Sequence, residues 1–189
     1  MFGILFFTVI GPLLTLLVIW AVVTHNSFVR RANLVMESWR QVEVELRRRY
    51  DLIPNLVRVV EAYAQYEQAT LTSLTARRAE AMATQQLPQR AQAEDDLGLA
   101  VRGVLVQAEQ YPQLAASQQF LALQRELVNT EDRIAAGRRF YNGNVRALNT
   151  ALQTFPSSLI GSSMKIQPAE YFIAEVPGPN GIATAPAVW

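Results

Sequence analysis

The sequence predicts an all-α fold: an antiparallel up-and-down four-helix bundle continued from an N-terminal transmembrane helix, with an extended, non-helical C-terminal tail. Three observations predict it. Residues 2–23 contain no charged side chain. Apolar residues recur at helical spacing through most of residues 26–155. From Ser157 the chain turns to Gly, Ser, Pro and short apolar pieces without a helical period. On this reading residues 1–25 are the anchor, 26–155 the bundle, 156–175 an extended segment packing on it, and 176–189 a flexible or intersubunit tail.

The anchor comes first. About 20 apolar residues, rising about 1.5 Å each, cross a hydrocarbon core of roughly 30 Å, and the opening run has that length. A cleavable secretory signal would show a positive n-region, a shorter apolar core and a small-x-small cleavage site. Here only the α-amino group of Met1 precedes the run, and Ala21-Val22-Val23-Thr24-His25 is a poor cleavage site. A retained anchor fits better, and a buried core helix fits least, because the chain has no equally apolar partner segment. Gly11-Pro12 inside the run is tolerated in a lipid-spanning helix, with a bend at most. Arg30 and Arg31 follow the run closely, so the positive-inside rule places the body in the cytoplasm.

With 17 basic against 16 acidic side chains, the chain offers no electrostatic case for nucleic acid or a polyanionic substrate. The absence of cysteine excludes a disulfide framework and a thiol-lipidated amino terminus. The run Arg47-Arg48-Arg49 would stand about 30 Å above the headgroups on a helix leaving the membrane near Phe28. It is expected to form a solvated face, pairing with Glu43 and Glu45 one turn away.

The first body helix, 26–50, carries Phe28, Val35, Trp39, Val42, Leu46 and Ile53 on one stripe. Asp51-Leu52-Ile53-Pro54 then predicts a kink or tight break, since the residue before Pro avoids the α region and Asp suits a new cap. A second helix runs to about residue 85 with Leu56, Val57, Val60, Ala64, Leu71 and Leu74 inward, closed by Leu87-Pro88. The third, 89–110, buries Leu97, Val101, Val104, Leu105 and Ala108. It tolerates Gly98 and Gly103 at about 1 kcal/mol each against Ala, and these glycines allow another helix to approach closely. Tyr111-Pro112 ends it, and a short polar connection leads to a start near Ser117.

The fourth helix has the clearest repeat: Phe120, Leu123, Leu127, Thr130, Ile134, Gly137, Tyr141, Val145, Leu148 and Leu152. Its steps alternate three and four until two fours meet at Tyr141, a local relaxation toward a repeat of about 11 residues. It stops at Phe155-Pro156. Trp39, Leu46, Tyr50, Ile53, Leu127, Ile134, Gly137 and Tyr141 are the residues expected at the bundle packing and oligomer seam. Beyond them, Tyr171-Phe172 is expected to dock on the bundle, and Trp189 is a further apolar anchor.

Two segments carry a family resemblance. Gln41-Val42-Glu43-Val44-Glu45-Leu46-Arg47-Arg48-Arg49-Tyr50-Asp51-Leu52-Ile53-Pro54-Asn55-Leu56-Val57 is the first. Phe120-Leu121-Ala122-Leu123-Gln124-Arg125-Glu126-Leu127, leading to Thr130-Glu131-Asp132-Arg133-Ile134-Ala135, is the second. With Tyr141-Asn142, Asn149 and Phe155-Pro156, they resemble the signature stretches of the LemA family, in order and spacing, over about residues 33–172. The resemblance implies a bacterial, single-span membrane protein with an antiparallel helical bundle, and no established reaction. Many members have His before the glutamate of the second helix; this chain has Tyr66-Glu67, so a metal role for that His does not carry over.

The chemistry-bearing residues point away from an enzyme. The one histidine, His25, lies at the membrane boundary and there is no cysteine. Ser-His-Asp and Cys-His catalysis and His/Cys zinc sites are thereby removed from the body. Paired Glu-x-x-His motifs, a phosphate loop and a dinucleotide fingerprint are also missing from the sequence. Glu131 and Asp132 are sequence neighbours on a helix and point about 100° apart, so they do not converge as an acid–base pair. Either is expected to pair with an arginine such as Arg49 or Arg133 and fix helix register. Glu67, Glu126, Glu131, Asp132, Arg133, Asn142 and Asn149 are expected to form a structural polar network.

The expected function is therefore a membrane-anchored, self-associating helical scaffold that organises partner proteins or the membrane, with no catalytic residue, cofactor or metal. Its expected partners are the lipid bilayer and further copies of the chain, and nucleic acid is not among them. The alternative is an adaptor or chaperone-like subunit that binds a membrane protease or transporter through an exposed groove.

Overall fold

The structure, a computed structural model, describes residues 10–62 and 68–174. Its helices are α1 (Gly11–Glu61), α2 (Gln68–Ala83), α3 (Leu87–Ala108), α4 (Pro112–Ala115), α5 (Gln118–Gln153) and α6 (Ser157–Ser163). The described residues contain no strand. The chain divides into two compact units, Met1–Arg40 with Phe140–Glu170, and Gln41–Arg139 with Tyr171–Trp189. The division falls within α1 and within α5.

In the first unit, the apolar side chains from Leu13 to Val23 stand exposed, with Ala21 half-buried. Almost none of this apolar stretch is packed against the rest of the chain, which makes it a candidate membrane span and not the core helix of a soluble protein. Above it α1 and α5 are tied by polar groups that reach backbone carbonyls. Arg31 Nη1 donates to the Ala147 carbonyl at 3.1 Å and Asn144 Nδ2 to the Leu34 carbonyl at 3.4 Å. The Trp39 and Tyr141 rings lie 5.3 Å apart between centroids. Asn149 bonds both backbone groups of Ala169 at 2.9 Å, and Tyr141 donates to the Glu170 carbonyl at 2.8 Å, so the irregular chain after α6 is laced along α5.

The helix α6 corrects the extended course expected from Ser157. Helical hydrogen bonding persists past Pro156, with the Ser158 amide on the Thr154 carbonyl at 2.8 Å. The Ser157 hydroxyl donates to the Ala151 carbonyl in the last turn of α5 and to the Thr154 carbonyl just past it. Gly161 then packs closely: a Cβ there would lie 2.7 Å from Leu152 Cδ2, which would have to shift, and 3.1 Å from Phe28 Cζ. Seven residues are too few to display a periodic stripe.

In the second unit the expected break at residues 51–54 is absent. Helix α1 runs unbroken for 51 residues with Pro54 inside it. Proline has no N–H to offer the carbonyl four residues earlier, which here belongs to Tyr50. Arg78, on α2, fills that vacancy: its Nε donates to the Tyr50 carbonyl at 2.7 Å. The helix therefore keeps its bonding complete and continues. Leu56 and Val60 point inward as expected, but from α1, and the next helix starts at Gln68. Ala64 lies outside the described residues.

Leu97, Val101, Val104, Leu105 and Ala108 of α3 are buried, as are Leu71, Leu74 and Ala81 of α2. The expected polar connection after α3 contains α4, one turn that buries Leu114. Phe172 is buried beneath the Arg138 guanidinium, which lies 4.7 Å from its ring centroid, while Tyr171 is exposed. Val176 to Trp189, the final stretch, falls outside the described residues.

Candidate functional site

The second unit is built around a charged residue that the sequence pattern disguises. Arg49 sits on α1 between Leu46 and Ile53, on the same buried stripe, with only 1 % of its side chain exposed. The expectation that Arg47-Arg48-Arg49 forms a solvated face holds for its first two members and fails for the third. Arg47 and Arg48 are exposed. Glu43 and Glu45 serve other arginines, Arg90 and Arg133, each at 3.4 Å.

Two carboxylates from two helices close on Arg49. Glu94, on α3, is fully buried, and its Oε2 and backbone carbonyl both accept from Arg49 Nη2. Glu131, on α5, accepts from Arg49 Nη1 at 2.7 Å. The Tyr50 hydroxyl donates to the other Glu94 oxygen, and Arg90 Nε lies 3.9 Å from it. Arg102 Nη1 stands 3.9 Å from Glu131 Oε2. Gly98 makes the space: a Cβ there would lie 3.1 Å from Glu131 Oε2 and 3.2 Å from Arg49 Nη1.

The electrostatics follow from this packing. Burial alone would push the Arg49 guanidinium down, but attraction to Glu131 and then Glu94, with their hydrogen bonds, outweighs it and holds Arg49 above its ordinary value. The Tyr50 hydroxyl is pushed well above its ordinary range, by burial first and then by its bond to the Glu94 carboxylate. Neither group is poised to exchange a proton near neutrality. Among the described residues no three His, Cys, Asp or Glu side chains converge to hold a metal ion.

An open cleft of about 370 Å³ lies over the network, lined by Arg49, Gly98, Arg102, Glu131, Asp132 and others. Asp132 is exposed, so Glu131 is the member of the Glu131-Asp132 pair that meets Arg49. Glu126 pairs with Arg48 at 2.5 Å and Arg133 with Glu45 on the exposed surface. Asn142 is half-buried, and Asn149 holds Ala169 in the first unit. Glu67 lies outside the described residues.

Leu46, Tyr50, Ile53, Leu127, Ile134 and Tyr141 are buried within the single chain, and Trp39 is half-buried. Gly137 meets Val42, whose Cγ2 would be 3.1 Å from an added Cβ. These residues pack within the single chain. Glu94 went unseen in the sequence, although a signal existed. Stepping back three residues from the stripe Leu97, Val101, Val104, Ala108 lands on Glu94.

One apolar, membrane-length helix and a body clamped by a buried Arg–Glu network define a membrane-associated helical protein whose polar core is occupied in holding helices. The comparisons agree with that class. The sequence profile of the LemA family matches residues 38–185, and the chain belongs to this family. It is 23% identical to magnetosome protein MamQ of Magnetospirillum gryphiswaldense over 186 residues, 85% of this chain and 68% of that protein. It is 24% identical, with the same coverage, to magnetosome protein MamQ 2 of Paramagnetospirillum magneticum. Protein LemA of Metamycoplasma hominis is 25% identical over 153 residues, 79% of this chain and 68% of that protein.

Proposed function

We propose that this protein is a membrane-anchored, self-associating scaffold without catalytic activity. Its four long helices α1, α2, α3 and α5 would form an antiparallel up-and-down bundle, held in the cytoplasm by a single span. The observation that carries this reading is the continuity of α1. One unbroken helix contains both the exposed apolar stretch and Arg49, the residue on which α3 and α5 are clamped. Ordering of the body and placement of the span are then properties of the same element.

Self-association needs a surface the fold does not already use. The outer stripe of α3, Leu99, Gly103 and Val106, is apolar or small and exposed, and a Cβ added at Gly103 would meet nothing within 4 Å. Since the chain has no native cysteine, Val106→Cys gives a single site for cross-linking in membranes. A cross-linked ladder, with concentration-dependent sedimentation in detergent, is the expected result. A monomer at every concentration and no ladder would end the scaffold reading.

An adaptor reading draws on one observation. An open groove of about 780 Å³ is lined by Arg58, Val59, Ala122 and Leu123 among others, and could seat a segment of another membrane protein. Affinity purification from membranes separates the readings. A stoichiometric foreign partner favours the adaptor, and self-assembly alone favours the scaffold.

A further inference from the structure

The most exposed large apolar side chain among the described residues is not in the apolar stretch of α1. It is Phe155, 76 % exposed, in the turn between α5 and α6, and Leu159 in α6 is 62 % exposed. Both belong to the first unit, and their height along α1 can be read from the contacts within it.

Here α5 runs antiparallel to α1. Asn144 reaches the carbonyl of Leu34, and Arg31 reaches the carbonyl of Ala147, so three residues back along α1 match three forward along α5. Further down, Gly161 closes on Phe28 and Leu152 together. Continuing the same register places Phe155 level with residues 23–25, about 5–7 Å below Phe28 by helical rise. That is the boundary at which the charge-free run ends and Thr24-His25-Asn26 begins. The exposed Arg30 follows that boundary within a few residues.

We infer that the α5–α6 turn is a second, interfacial membrane contact: Phe155 and Leu159 enter the headgroup–acyl boundary beside the emerging span, and the bilayer is the occupant of this apolar face. Continuity with the exposed apolar surface of α1 selects lipid, since the two surfaces meet at one level. The docking depth is that of an interfacial segment, roughly 5–10 Å into the boundary. The close approach of Gly161 to Phe28 and Leu152 packs α6 against α1 and α5 at this height. The inference rests on the reading of the α1 apolar stretch as a span.

Depth-dependent quenching tests it in the full chain. Phe155→Cys, Leu159→Cys, Leu17→Cys and Val106→Cys, each alone, carry an environment-sensitive fluorophore in phosphatidylcholine–phosphatidylglycerol vesicles containing nitroxide lipids, either shallow or deep. All four positions are exposed, so the labels leave the packing intact. The expected result is a larger loss of emission with shallow than with deep nitroxide at 155 and 159, the reverse at 17, and no loss at 106. Deep quenching at 17 with none at 155 and 159 would overturn the inference while leaving the span in place, including the case in which a second copy covers the turn. No quenching at 17 would remove the span reading and the inference together.

Discussion

The two units solve the same problem, fixing α5 against α1, with different chemistry. In the first, one neutral amide and one arginine reach across to backbone carbonyls: Asn144 to Leu34 and Arg31 to Ala147. In the second, a buried guanidinium is shared between Glu94 and Glu131. A carbonyl is available at every turn of a helix, so the first kind of tie tolerates a shift in register. A buried carboxylate is available at one residue only. Charge taken out of water must meet its partner or be uncompensated, and the ion pair therefore selects one alignment of α1, α3 and α5.

The largest effect expected from this contrast is that of Glu94→Ala. It removes the fully buried partner of Arg49 and leaves the guanidinium with Glu131 alone, which costs about 3–5 kcal/mol, read as a lowered midpoint in denaturant unfolding. The combined change Arg49→Met with Glu94→Leu should recover part of that loss, because the fully buried guanidinium is then removed together with its fully buried partner. If Glu94→Ala alone unfolds at the wild-type midpoint, the network has no role in holding the helices.

Asn149→Ala should cost less, about 1–3 kcal/mol for two neutral hydrogen bonds. Faster hydrogen exchange at the Ala169 amide, with exchange in α3 unchanged, would locate the effect in the first unit.

The pH dependence of Tyr50 comes next in size. Its folded-state value is raised, so the unfolded chain gives up the proton near the ordinary value of 10.0 while the folded chain keeps it. The contribution is complete below that pH and is lost as pH rises toward the folded value. Tyr50→Phe should flatten this alkaline loss, measured as the slope of unfolding free energy above pH about 10.

Smallest is Asp132→Ala, expected within about 0.5 kcal/mol of wild type for an exposed side chain. A thermal shift as large as that of Glu94→Ala would move the register-fixing role from Glu131 to its neighbour.

Elements with many turns declared themselves in the sequence. The stripe Leu127, Ile134, Tyr141, Val145 and Leu148 is long enough for its period to be counted, and the structure buries it. What stayed hidden depended on residues far apart in the chain. Pro54 reads locally as a break, and only Arg78, on another helix, makes it permissible. Arg49 reads locally as one of three surface arginines, and its burial becomes visible only when its stripe is matched with the one containing Glu94. Short α6 has too few residues for a pattern, and its place is set by the contact of Gly161 with Phe28.

The bond from Arg78 to the Tyr50 carbonyl has a mechanical consequence. A helix interrupted by proline is stiff here on loan: the missing link is supplied by α2 and not by α1 itself. Lift α2 away and the carbonyl loses its donor at the one point where the backbone cannot replace it. Pro54 then becomes a joint. A single side chain of α2 thus serves the one carbonyl of α1 that Pro54 cannot.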